Sequence, residues 1–155
     1  MSSIKILDDK EKAKIEKILN EEFGVDSVPG KVIMRAEERL FLFTGSLSEK
    51  EIEKLERCAF IERMGVYFAR LEKDWVRLSI EGTQILKSQI KKNIFAMDSK
   101  QAEEWMKGRE LPIKTGFHGF MVMKHGEDIL GTGKASDEKI GNFIPKNRRL
   151  RERQQ

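Results

Sequence analysis

Cysteine is all but missing from this chain: Cys58 stands alone among 155 residues. No internal disulfide can form, and that usage agrees with a reducing compartment. Apolar runs of about 18 residues are missing too, so no stretch is suited to cross a membrane as a helix. The opening segment, MSSIKILDDKEK, carries no apolar signal core, so secretion is not expected and a cytoplasmic location is. No low-complexity linker interrupts the sequence. What fills the space is charge: 36% of residues are charged and 39% apolar, the balance of a globular chain with a heavily charged surface. The length allows one compact domain, or two small ones sharing an interface.

The net charge of +4 is unevenly spread. Residues 1–60 hold 11 Lys and Arg against 13 Asp and Glu, whereas residues 61–155 hold 19 against 13. The end is steeper still: Lys146, Arg148, Arg149, Arg151 and Arg153 face only Glu152. Such asymmetry is the footprint of a half that binds a polyanion, although a solvated surface explains composition alone equally well.

Periodicity divides the chain into short elements. Ile15, Ile18, Leu19 and Phe23 recur at helical spacing between a cap at Asp8 or Asp9 and a closing Gly24. Residues 31–35 and 39–44 read as a hairpin around Ala36-Glu37-Glu38. Ser48 and Glu51 form a capping box for a helix that should turn Ile52, Leu55 and Ala59 inward. Residues 66–71 and 75–80 look extended, with Val76, Leu78 and Ile80 on one face, and 81–86 as a short helix. Further on, a strand at 93–97 leads to a helix capped by Asp98 or Ser99, with Ala102, Trp105 and Met106 inward and Gly108 as its stop. Residues 120–124 and 129–135 pair around the turn at 125–128, and 141–144 form a last extended piece. Many short strands with an embedded helix predict an α+β chain whose C-terminal part is a small mixed β barrel.

The order of these C-terminal elements resembles a PUA domain: strand, helix closing on Trp105-Met106-Lys107-Gly108, then an apolar hairpin continuing as Ile129-Leu130-Gly131-Thr132-Gly133-Lys134-Ala135. More closely, the chain is similar to the stand-alone, archaeal-type ribosome biogenesis proteins of the Nol/Nop/Fmu family. Those match the RNA-binding C-terminal part of Fmu-type RNA cytosine-5 methyltransferases without the catalytic domain. Leu78-Ser79-Ile80-Glu81-Gly82, Lys92-Asn93, Glu104-Trp105 and the closing Asn142-Phe143-Ile144-Pro145-Lys146-Asn147-Arg148-Arg149-Leu150 carry that likeness. It implies an N-terminal α/β cap domain over residues 1–74 and a PUA-like mixed β pseudobarrel with a basic tail over residues 75–155.

Catalytic signals are weak by comparison. Fmu-type enzymes use cysteine in short Pro-Cys contexts and bind their cofactor on a doubly wound sheet. Cys58 instead lies in Glu56-Arg57-Cys58-Ala59, without proline, and no Gly-rich loop follows a strand. Gly131-Thr132-Gly133-Lys134 suggests a phosphate loop, but the position five before Gly133 is Asp128 and Ala135 follows the lysine. His118 and His125 lack companion ligands at metal-binding spacing. No enzyme activity, cofactor or metal is therefore expected.

Lysine and arginine contacts to phosphate release counterions and need no sequence readout, which makes nucleic-acid binding the strongest physical reading. The helix end Lys107-Gly108-Arg109 sets two cations beside a residue that permits close backbone approach. With Lys114, Gly116, Lys134, Lys146, Arg148 and Arg149 these residues are the expected RNA contacts. Lys107 and Gly108 also suit a helix terminus on structural grounds alone. Phe117 and Phe120 could stack on bases but more often fill a small barrel's core, and Trp75 is open to either role. The expected function is non-catalytic binding of structured RNA, ribosomal or transfer RNA, during processing, modification or ribosome biogenesis, with neither DNA nor membrane as partner. The alternative is an adaptor whose N-terminal half docks an RNA-modifying enzyme or a ribosomal protein.

Overall fold

A computed structural model describes residues 4–58 and 65–151. Its elements run β1 (Ile4–Ile6), α1 (Asp9–Phe23), β2 (Lys31–Arg35), β3 (Arg39–Phe43), α2 (Glu49–Cys58), β4 (Val66–Glu72), β5 (Trp75–Leu78) and α3 (Ile80–Ile85). After a 3-10 turn at Lys87–Gln89 follow β6 (Ile94–Ala96), α4 (Ser99–Met106), β7 (Gly119–His125), β8 (Asp128–Ala135), β9 (Ile140–Asn142) and a second 3-10 turn at Lys146–Arg148. The chain is α+β. Strands β1 to β5 form an antiparallel sheet in sequence order. A second sheet has the order β6-β7-β8-β9, with β6 parallel to β7 and the other pairs antiparallel. Among the described residues no helix is long and apolar enough to cross a membrane.

Local chemistry explains the helix ends. Asp8 and Glu11 cap α1 reciprocally, and Gly24 closes it in the left-handed region at φ 77°. Ser48 and Glu51 do the same for α2, with both bonds at 3.2 Å. At α4 the cap is Asp98: its carboxylate accepts the Gln101 N–H at 2.7 Å, and the Gln101 side chain accepts the Asp98 N–H at 2.9 Å. The turn between β2 and β3 has positive φ at Ala36 and Glu37, the sense that matches strand twist.

Several expectations change. β1 has no counterpart in the sequence reading; three residues are too few for periodicity to show. The extended reading of 75–80 holds only to Leu78, because the Ser79 hydroxyl accepts the Gly82 N–H and starts α3. Leu55 is exposed rather than inward, while Ile52 is fully buried; Ala59 lies outside the described residues. The division at 74/75 cuts the β4–β5 hairpin, in which Glu72 pairs with Trp75 and Ala69 with Leu78. Hydrogen bonding assigns residues 75–78 to the first sheet.

The two sheets share one core. Leu19 and Phe23 of α1, Val76 and Leu78 of β5, and Leu86 pack in the same cluster as Phe120, Val122 and Ile129 of the second sheet. Polar ties reinforce the seam: the Lys91 N–H reaches the Phe23 carbonyl at 2.8 Å, and the Gln89 side chain accepts the N–H groups of Asp26 and Ser27 at 3.0 Å each. A second cluster gathers around Trp105, with Met97, Ala102, Met123 and Ile140. The Trp105 indole N–H donates to the Leu130 carbonyl at 2.7 Å, which fixes α4 on β8. Gly133 lies directly beneath: a Cβ there would come within 2.7 Å of the indole and 2.6 Å of Ile140. The glycines of the 131–134 run thus serve close packing of helix and strand.

Candidate nucleic-acid interface

The C-terminal end of α4 is a crossing point of three chain segments. An α-helix leaves its last carbonyls without internal partners. Here the Asn142 amide donates to the carbonyls of Trp105 at 2.8 Å and Arg109 at 3.0 Å, and the Leu150 N–H reaches the Met106 carbonyl at 2.8 Å. Gly108 turns the chain at φ 88°. The room that its missing side chain leaves is taken by Arg149: a Cβ on Gly108 would lie 2.3 Å from the Arg149 Nε. That nitrogen donates to the Ile144 carbonyl at 2.9 Å. The close approach expected at Gly108 is therefore made by the protein's own guanidinium, which clamps the closing segment to the helix end.

The other expected cations divide into held and open. Arg109 is bound by Glu104 at 2.5 Å, and that hydrogen bond, aided by the charges of Arg109, Lys107 and Lys100, holds the Glu104 carboxyl below its usual range. Lys107 is 3.5 Å from Glu103, one helical turn back. Arg148 pairs with Glu81 of α3. Such surface pairs are worth little and yield readily to a phosphate, but they lower the local charge. Lys114, Lys134 and Lys146 are exposed, with no ion pair among the described residues. Gly116, at φ 77°, has open space where a side chain would stand. The outer face of α4 is mixed in charge, with Glu103 and Glu104 beside Lys107; the cations gather at its C-terminal end instead.

Two of the expected residues, Gly108 and Lys134, line one open groove of about 500 Å³ with Lys139, Asn142 and Phe143. Glu110, paired with Lys139 at 2.7 Å, lines it as well. Register explains the floor: Phe120 of β7, Lys134 of β8 and Gly141 of β9 are cross-strand neighbours. The Lys134 ammonium sits 5.9 Å above the Phe120 ring. Phe120 is buried, as expected for a core residue, yet two exposed rings pack edge-on against it. Trp75 does so at 6.4 Å and Phe143 at 6.0 Å between centroids. The Arg77 guanidinium lies 4.1 Å over the Phe143 ring. Trp75 also packs on β7, where a Cβ at Gly119 would come within 3.1 Å of the indole.

Lys139, Asn142, Phe143 and Arg77 escaped the sequence reading as site residues, and Trp75 was left open between stacking and core. Asn142 and Phe143 stood in the closing motif and were a signal. Arg77 was not, since only the docking of β5 against β7 brings it there. His118 bonds Asp137 at 2.5 Å on the surface, and His125 lies 3.3 Å from the Met97 carbonyl.

The C-terminal part is thus a mixed sheet entered through a parallel strand, with a capped helix whose end is locked by the closing segment. Comparison with known proteins specifies the kind. Residues 92–150 match the family model described as the Methyltransferase RsmF PUA domain. The chain is also 27% identical over 137 residues to the Ribosomal RNA small subunit methyltransferase F of Vibrio vulnificus (strain YJ016), covering 88% of this chain and 28% of that protein. To its counterpart in Vibrio cholerae serotype O1 (strain M66-2) it is 24% identical over 138 residues, with the same coverage. The likeness thus extends from the PUA-like domain into the N-terminal sheet, and the chain spans 28% of the length of these methyltransferases.

Proposed function

We propose that this chain is an RNA-holding module that acts in ribosomal RNA modification without performing the chemistry itself. The observation that carries this reading is the meeting of Gly108 and Lys134 in one groove of a domain that matches the PUA domain of an rRNA methyltransferase family. Structured RNA lies along that groove, with phosphates near Lys134 and Lys139 and with Lys114, Lys146 and the Gly116 loop extending the contact. Lys107, Arg109 and Arg148 exchange their carboxylate partners for phosphate as RNA arrives. Positioning by phosphate contacts and selection by shape are the means such a surface offers. The N-terminal sheet acts as a cap that buttresses the groove through Trp75.

The test is an RNA titration across salt with Lys134→Glu combined with Lys139→Gln. Each lost phosphate contact makes the slope of log K against log salt shallower by about 0.7–0.9, so the double variant should lose about 1.5 and bind more weakly at low salt. A double variant that keeps the wild-type affinity and slope removes the groove from consideration.

A further inference from the structure

The first sheet carries a row of arginines on the face turned away from α1. Register sets Arg35 of β2 opposite Arg39 of β3, Arg39 opposite Arg70 of β4, and Arg70 opposite Arg77 of β5. Residues directly opposite one another share a face, so the four side chains stand in line across the strands. Their chain neighbours Leu40, Ala69, Val76 and Leu78 point the other way, into the core with Leu19 and Phe23 of α1. At about 4.8 Å between strands, the row is about 14 Å long. Like charges directly opposite one another weaken a sheet, so packing and propensity give no reason for the row.

Carboxylates relieve only its inner half. Glu38 bonds Arg70 at 3.0 Å, and Glu72 lies 3.6 Å from Arg77. The Arg70 Nε is still buried without a partner. Arg35 and the exposed Arg39 have no ion pair among the described residues, and Glu37 and Asp74 in the adjoining turns are not bonded to the row. The row also does not end in isolation: the Arg77 guanidinium lies 4.1 Å over the Phe143 ring, and Phe143 lines the groove with Lys134 and Lys139. Groove and row thus make one cationic path that turns from the second sheet onto the first. A phosphodiester strand fits such a path, since it sets a phosphate about every 3.4 Å of duplex axis and so about four along 14 Å. The guanidinium fork matches phosphate oxygens two at a time, which suits a row made of arginine alone. We propose that this row is a second phosphate-binding surface, over which the RNA held in the groove continues, with Arg35 and Arg39 gripping its backbone at the outer end. The proposal rests on the RNA-binding reading above and adds where the RNA runs beyond the groove.

The probe is a duplex RNA of about 20 base pairs, roughly 60–70 Å long and able to cover groove and row together. Arg35→Gln with Arg39→Gln should make the slope of log K against log salt shallower by about 1.4–1.8, and this loss should add to that of the groove double variant. Lys10→Gln with Lys14→Gln removes the same charge from exposed positions of α1 and should leave the slope as it was. Phenylglyoxal labelling of the unmodified protein gives a readout that needs no variant: bound RNA should protect the peptides that contain Arg35 and Arg39. A slope unchanged by the arginine variant, equal losses in the α1 control, or labelling of those peptides that RNA does not alter overturns the row. The groove stands in each case if its own double variant still weakens binding. An unmodified protein that binds no RNA overturns both.

Discussion

Glu22 is the group whose behaviour the structure predicts most sharply. It lies on the apolar stripe of α1, 6% exposed, and accepts the Val76 N–H of β5 at 2.8 Å through one carboxylate oxygen. The other oxygen is buried without a partner. Burial, opposed by the Val76 hydrogen bond and assisted by the charge of Glu21, pushes the carboxyl up from 4.5 to about 7. A folded-state value above the unfolded one means that the native protein keeps a proton the unfolded chain has released. Stability from this group is complete below about pH 4.5, falls as pH rises, and is exhausted above about 7. At about 1.4 kcal/mol per unit, the loss amounts to about 3 kcal/mol. In Glu22→Gln the amide oxygen can still accept the Val76 N–H, but the NH₂ group is buried without a partner, a cost of about 1 kcal/mol. Urea unfolding from pH 4.5 to 8.5 should therefore show crossing curves: the variant is weaker by about 1 kcal/mol at the acid end and stronger by about 2 kcal/mol at pH 8. Parallel curves would refute the buried, proton-holding Glu22. Because Val76 stands between Trp75 and Arg77, the same ionisation bears on the strand that carries the aromatic surface.

Gly133→Ala drives a methyl group into Trp105 and Ile140 and should cost about 1–3 kcal/mol by thermal or urea unfolding, whereas Gly126→Ala, with open space around a turn, should cost less. Trp105→Phe removes the indole N–H and leaves the Leu130 carbonyl without its donor, for a loss of about 1–3 kcal/mol and faster amide exchange along α4. Arg149→Ala releases the clamp over Gly108 and the Ile144 carbonyl; protease sensitivity of the segment after residue 144 should rise while the core unfolds at nearly its former midpoint.

Much of the fold was legible because local rules decide it. The α1 stripe with Gly24, the Asp98 cap and the hairpin β7–β8 all rest on residues within a few positions of one another. Glu22 falls at helical spacing from Ile15 and Leu19, so its burial was signalled, but a charged residue on an apolar stripe is easily assigned to solvent. The site was legible only in outline. Lys134 and Gly108 belong together through strand pairing and helix docking that no short motif encodes. The partners that change the meaning of single residues are remote: Arg148 and Glu81 are 67 positions apart, and Arg149 fills the space at Gly108 from 41 positions away. The aromatic surface joins residues 75, 120 and 143, which meet only when the sheets pack.

The most direct measurement is the affinity of the unmodified chain for transcribed small-subunit ribosomal RNA between about 50 and 200 mM salt, beside duplex DNA of equal length. Three or four phosphate contacts predict a linear fall of log K with log salt at a slope near −2 to −4, and weaker binding of the DNA. Binding that ignores salt, equal affinity for the DNA, or no complex at 50 mM would contradict an RNA-holding groove at the end of α4.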